Sequence, residues 1–451
     1  MELKLKNIEK PNFGMPMQKP EVSKNVYEER CKKLYEKSPH DWLVIYGDKE
    51  HFGNIFYLTG FDPRFEETLF LIGPSGEKFL LVGNEGLEYS SKLKVQAHVL
   101  LCQSFSLMGQ DRSKSPRLDN LLRELGINES NSIGICGWKY LEDEEKPDDT
   151  ELIFVPSMIL KHIENVVNTT LIDITPLLMH PEKGLRVYNE VEEIALLEYG
   201  ASRSSLAVQN IVQGTKVGKS EYDAVSNMNY SGDPLSTHVM FSSSKNKIVG
   251  LESPGPNIIS KGDGVTTAVG FFGGLSCRAG KITDYDENFL NNIAKPYFKG
   301  ICTWYENAYI GAKGKDLFEK VSRSLMEGNL KPALNPGHLT SIDEWLHSLV
   351  RPNSQESIKS GMAMQVDIIP EPLPDGTAVN CEDSVVFADK ALREQIEIQY
   401  PDMWKRIKRR QKFLREQVGI NIDDSLLPLS SNPGYFSPFW LSPKNILIKI
   451  S

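Results

Sequence analysis

The chain has 451 residues, 51 basic and 60 acidic, a net charge of -9, with 40% hydrophobic and 25% charged residues. That length predicts two or three domains, and the composition is that of a folded protein. The negative balance opposes broad phosphate contact, which argues against nucleic acid as a partner, and no run of 18 apolar residues offers a membrane span.

The opening stretch MELKLKNIEKPNFGMPMQKPEVSK alternates charge and has no apolar core of the secretion-signal kind, so a cytoplasmic protein is expected. A charged amphipathic helix follows in EVSKNVYEERCKKLYEK. DWLVIYG, NIFYLTGF, ETLFLIG and EKFLLVG are short apolar runs closed by glycine or a turn, and they read as a compact α/β unit that SNSIGICGW and NTTLIDIT continue. The character changes near His180, giving domains at 1–180 and 181–451.

The second part opens with a long helix, NEVEEIALLEYGASRSSLAVQNIV, and a second helix in KSEYDAVSNMNYS. Strand-like STHVMFSS and NKIVGLES lead to AVGFFGGLSCRAG (268–280), a hairpin with no carboxylate between Asp263 and Asp284. Proline should divide the helical ENFLNNIAKPYFKGICTWYENAYIG. After the helix KDLFEKVSRSLMEG come PGHLTSIDEW and the strands AMQVDIIPE and AVNCEDSVVFAD. The basic DMWKRIKRRQKFLREQ reads as a solvated helix face, and the apolar tail after it should pack back on the body. Six scattered cysteines without a CxxC pair are expected to be reduced, structural thiols.

His338, Asp367 and Glu382 stand on otherwise apolar segments. Burying such groups is costly unless they find partners, and clusters of this sort support acid and base chemistry.

Taken with YLTGF, RVYNEVEEIALLEYGA and the ordered KGDGVTT, NPGHLTS, GMAMQVDIIP and CEDSVV, the chain resembles the pita-bread enzymes: methionine aminopeptidase, aminopeptidase P, prolidase and creatinase. The resemblance implies an α/β class protein, with a creatinase-like N-terminal α/β domain followed by a pita-bread catalytic domain. In the peptidases of that family an Asp, a second Asp 11 residues on, a His, a Glu and a final Glu hold two metals. The last three match His338, Asp367 (in place of Glu) and Glu382, while the two aspartates fall on Ala268 and Ala279. Methyl groups cannot bridge cations. Three protein ligands would still suffice for a single metal. Trp345 stands where a second histidine is expected, with His347 two residues on.

Loss of both aspartates is the pattern of creatinase, so the resemblance implies a metal-independent hydrolase, without cofactor, that cleaves a C–N bond of a small polar nitrogen compound: an amidine, a urea-like group or an N-substituted amino acid. His338, Asp367, Glu382 and Glu252 are the acid and base candidates; Glu252 or Leu251 falls where creatinase carries its histidine. The glutamate that creatinase has after the hairpin falls on Lys281, which argues against creatine itself. Cys277 and Arg278 should point to opposite faces, one of them into the cavity, Cys277 as a nucleophile or a structural thiol. Arg278 or Lys281 could anchor a substrate carboxylate, and Trp345 joins them as a substrate-binding candidate. Arg64 would reach the neighbouring pocket of a homodimer, or pair with Glu66 or Glu67. The alternatives are a Xaa-Pro aminopeptidase or prolidase with a divergent metal site, and an inactive peptide-binding module.

Overall fold

The computed structural model describes residues 1–147 and 150–450. They divide into two compact units, Val22–Val187 and Met1–Glu21 with Tyr188–Ser451. β1 (Leu3–Asn7) opens the chain and belongs to the larger unit.

In the smaller unit, β2 (Trp42–Gly47), β3 (Thr68–Ile72), β4 (Lys78–Val82), β5 (His98–Leu101), β6 (Ile133–Cys136) and β7 (Ile172–Asp173) form one mixed sheet in the order β5-β4-β3-β2-β6-β7. β2 and β3 are buried along their whole length, which is why their sequences are continuously apolar rather than alternating. The run NIFYLTG is a helix, Gly53–Thr59, closed by the left-handed Gly60. It is short and buried nearly all round, so its apolar residues carry no period that separates helix from strand.

The larger unit is built on β8 (Met240–Ser244), β9 (Gly264–Phe271), β10 (Gly274–Lys281), β11 (Lys331–Pro332), β12 (His338–Leu339), β13 (Ala363–Val366), β14 (Pro370–Glu371), β15 (Asn380–Phe387), β16 (Leu426–Pro428) and β17 (Asn445–Lys449). The main sheet runs β12-β13-β15-β10-β9-β8, with β16 on β15, and every pair in it is antiparallel. The stretch 268–280 is thus the β9–β10 hairpin, as its sequence suggests. β1 pairs with β17, Leu3 opposite Lys449. This corrects the expected boundary: residues 1–21 belong to the second unit, because their strand completes its pairing there, and the division falls at 187/188 rather than 180/181.

The long helix Val191–Gly214 lies against the hairpin. Gly200 allows the contact, since a Cβ there would stand 2.3 Å from the Phe272 carbonyl oxygen. The basic helix Pro401–Phe413 is more than a solvated face: Arg406 and Arg410 both reach the buried Glu198 on that long helix, each at 2.8 Å. Proline does not break the segment after the hairpin. A π turn at Leu290–Ala294 precedes Pro296, which sits in the first turn of Lys295–Asn307, where its missing N–H costs no helical bond. Among the described residues no helix is long and apolar enough to cross a membrane, and all six cysteines are buried and unpaired.

One buried ion pair locks the back of the main sheet. Arg278 donates to both carboxylate oxygens of Asp383, at 3.0 and 3.1 Å, and to the carbonyls of Cys277, Glu382, Asn432 and Tyr435. Removing one partner of such a pair leaves an uncompensated buried charge, worth about 3–5 kcal/mol. Arg278→Met is therefore expected to lower the denaturant midpoint of the larger unit strongly; a midpoint unchanged from the native chain would contradict this.

Candidate active site

Register explains how residues far apart in sequence share one surface. Side chains of directly paired residues lie on the same face of a sheet, and residues two apart along a strand do too. Ala268 pairs with Cys277 and Cys277 with Glu382; Ala279 pairs with Asn380; His338 pairs with Gln365, which pairs with Ser384. One face therefore carries Ala268, Cys277, Ala279, Asn380, Glu382, Gln365 and His338. Asp367 follows β13 with the parity of Gln365. The opposite face takes Arg278 and Asp383.

Gly337 brings His338 in. Its φ is 104°, and a Cβ at that position would meet the Gln365 carbonyl oxygen at 2.8 Å and the Trp304 Nε1 at 3.0 Å. The chain then makes a closed loop, in which the Leu339 N–H donates to the His347 carbonyl at 2.7 Å and the Thr340 N–H to Ala363 at 3.0 Å. That closure folds Glu344 back, so its Oε1 lies 3.9 Å from His338 Nε2. One nitrogen or oxygen from each of His338, Glu344 and Glu382 lies within 4.8 Å of the others.

His338 Nε2 is an acceptor, and the two carboxyls accept when ionised. His338 Nδ1 lies 3.1 Å from the Leu339 carbonyl oxygen, which can only accept, so Nδ1 carries the proton and Nε2 presents a lone pair. Gln365 Nε2 donates to the Leu275 carbonyl at 2.8 Å and to Glu382 Oε1 at 3.4 Å. Glu344 Oε1, Asp367 Oδ1, Gln365 Oε1 and Asn380 Oδ1 are buried without a hydrogen-bond partner. A buried polar atom left this way costs about 1–3 kcal/mol.

Burial dominates the protonation equilibria. It pushes the Glu344 carboxyl up to about 8, helped by the charge of Asp367, and pushes Asp367 up to about 7. Glu382 is raised well above the ordinary range by burial and then by Asp367 and Glu344. Burial lowers His338, which keeps it neutral. Cys277 is raised as well, by burial and then by Glu382, which favours its protonated thiol form.

Of the expected site residues, His338 and Glu382 come together, and the charge of Asp367 is felt by Glu382. The others do not join them. Arg278 is turned to the opposite face and held by Asp383, which corrects its assignment as a substrate anchor: alternation sends Cys277 to the pocket and Arg278 away from it. Lys281 ends β10 in an ion pair with Asp286 at 2.7 Å. Trp345 is 80% exposed, because the loop turns Glu344 inward and sends its neighbour out. Glu252 is exposed and accepts from Ser242 on β8 at 2.9 Å, three strands from Glu382, or about 14 Å at ordinary strand spacing. Arg64, in the smaller unit, pairs with Asp62 at 3.0 Å and donates to the Tyr89 hydroxyl; Glu66, its expected partner, instead accepts from the Glu85 and Gly86 N–H groups. Glu344 is the site residue that sequence reasoning missed. Its signal was an acidic residue six positions after His338, in a loop whose return could not be read.

The two-metal centre that the resemblance implies does not fit these residues. Ala268 and Ala279 offer no oxygen, and Met240, Ala268, Leu275 and Cys277 form a buried apolar cluster on that part of the face. His338, Glu344 and Glu382 are a donor set for one ion at most.

The raised carboxyls have a measurable consequence. A group that binds its proton more tightly when folded makes stability fall as pH rises from its unfolded to its folded pKa, here from about 4.5 to about 8 for Glu344. His338, being lowered, acts only below its ordinary 6.5, and Lys10, pushed down to about 7 chiefly by burial, acts oppositely above pH 7. Lys10 is common to both chains and cancels in a comparison with Glu344→Gln, and His338 takes no part above pH 6.5. In chelator-treated protein, the melting temperature of the native chain should fall relative to that of Glu344→Gln between pH 6.5 and 8.5, and a constant difference would contradict the assignment.

No family model and no curated protein matches the sequence. Solved structures do. A prolidase from Thermococcus sibiricus matches with TM-score 0.64 at 16% identity, over 82% of this chain and 96% of that one. The Xaa-Pro dipeptidase from Bacillus anthracis gives 0.61 at 15% over 82% and 96%, and the X-Pro aminopeptidase from Thermotoga maritima 0.61 at 14% over 80% and 95%. At this identity the likeness speaks for architecture, and over four-fifths of its length the chain has the pita-bread fold of the prolidases and X-Pro aminopeptidases.

Proposed function

We propose that the protein is a hydrolase that cleaves a C–N bond in a small polar nitrogen compound, such as an amidine, a urea-like group or an N-substituted amino acid, and that it is creatinase-like in working without a two-metal centre. The observation that carries this is the meeting of His338, Glu344 and Glu382, with the charge of Asp367 acting on both carboxyls, in a fold shared with C–N hydrolases. A general acid or base is most effective when its pKa lies near the working pH, and Asp367, at about 7, meets that condition.

Asp367 then serves both halves of the reaction. As carboxylate it takes a proton from water while the water oxygen bonds to the electrophilic carbon; as carboxylic acid it returns that proton to the departing nitrogen when the C–N bond breaks. Water is consumed and the carboxyl ends as it began. His338, Glu344 and Glu382 fix the water and the polar groups of the substrate beside it, and the apolar cluster of Met240, Leu275 and Cys277 keeps bulk water away from that side.

Peptidase action on Xaa-Pro substrates is the second reading, favoured by the identity of the matching structures and weakened by the two alanines. Both readings are tested on one panel of Xaa-Pro dipeptides, N-carbamoyl and N-acyl amino acids, and amidines. Turnover of at least one non-peptide member, reduced about 10²–10⁴-fold in kcat by Asp367→Asn, is the expected result. Turnover of Xaa-Pro dipeptides alone would move the assignment to the second reading, and full activity of Asp367→Asn would remove the mechanism.

A further inference from the structure

We infer that the back of the main sheet holds a binding site for one small monovalent anion of chloride size, at Nε1 of Trp440. That face is turned away from His338 and Glu382, so the site is independent of the hydrolase reading. Arg278 and Gly280 lie on it by the alternation of β10. The long helix Val191–Gly214 packs against the same hairpin, and the chain from 432 to 443 returns over it, Arg278 donating to the Tyr435 carbonyl and the Trp440 N–H to that of Lys281.

Between them is a cavity of about 20 Å³, whose walls include Gln209, Gln213, Arg278, Asn432, Ser437 and Trp440. It has room for one occupant the size of a water molecule or a halide ion. Gly280 leaves space beside the indole, since a Cβ there would stand 2.9 Å from Trp440 Nε1. Gln213 is exposed, so an ion can enter at the end of the helix.

Two independent observations point to an anion. Trp440 is 2% exposed, and its indole N–H, which can only donate, has no hydrogen-bond partner among the described residues. A buried donor in that state calls for an acceptor. The surrounding charge says which kind. Lys10, Arg278, Arg406 and Arg410 are set against the carboxylates of Glu198 and Asp383, four positive charges to two negative. Glu9 does not restore the balance, because it is exposed and paired with Lys444. Lys10 reaches the cavity wall, donating to Asn432 Oδ1 at 2.8 Å and to the Ser431 carbonyl at 2.7 Å. Its ammonium is pushed down to about 7 by burial and then by Arg278 and Arg410, which outweigh Asp383, as an unbalanced positive surrounding requires. The last turn of the long helix contributes the opposite sign, but only about half a charge. A water molecule would satisfy the indole and leave the charge unbalanced; an anion answers both. The size of the cavity excludes phosphate and carboxylate metabolites, which leaves a halide.

The test needs no substrate. The ³⁵Cl⁻ line width is followed as chloride is titrated at fixed ionic strength into the full native chain, Trp440→Phe and Lys10→Met. The expected result is excess broadening that saturates with chloride, is reversed by bromide, and reports an affinity about tenfold or more weaker in Trp440→Phe. Lys10→Met removes a charge and leaves the indole, so it too should bind more weakly, and it serves as the second variant should the first fail to fold. No excess broadening, broadening that does not saturate, or native affinity in both variants would overturn the inference.

Discussion

His338, Glu344 and Glu382 bring one ligand atom each within 4.8 Å of the others, and the burial of the two carboxyls sets the character of the site. Protons relieve its cost, which is why burial and mutual repulsion raise the carboxyls together while the imidazole stays neutral. The sheet enforces the arrangement. Pairing of β10, β12, β13 and β15 places Cys277, Glu382, Gln365 and His338 on one face with no freedom to turn away, and the Arg278–Asp383 pair anchors the other face. Structure and chemistry thus divide the charged residues of these strands between them: Asp383 is spent on stability and its neighbour Glu382 on the pocket.

The same division sets what the fold can and cannot do. The β9–β10 hairpin turns Ala268, Ala279 and an apolar cluster toward the face that carries Glu382, so it offers no carboxylate there. The loop from Thr340 to Leu346 compensates in part by returning a carboxylate from the other side of the pocket. What remains on that face is His338, Glu344 and Glu382 without an oxygen from the hairpin.

Much of this was legible in the sequence, and for identifiable reasons. His338, Asp367 and Glu382 stood out because isolated polar residues in apolar strands must find partners, and the ordered short motifs placed them in one domain. Ala268 and Ala279 were legible by position alone. Alternation foretold that Cys277 and Arg278 would part, but not which would face the pocket, since that depends on Asp383 lying opposite. Glu344 was hidden because a loop containing Asp343, Glu344 and Trp345 reads as surface; backbone bonds such as that from Leu339 to His347 turn it inward. Trp345 failed for the same reason in reverse. The basic helix concealed Arg410, whose partner Glu198 lies over 200 residues away.

The central claim is that His338 presents a bare Nε2 to two carboxyl groups. The ¹⁵N shifts of its imidazole in the metal-free chain near pH 7 test it most directly, since they separate the two neutral tautomers from the cation. The account predicts a neutral ring protonated at Nδ1. A proton on Nε2, or an imidazolium paired with Glu344, would mean that the pocket supplies its own positive charge and would contradict it.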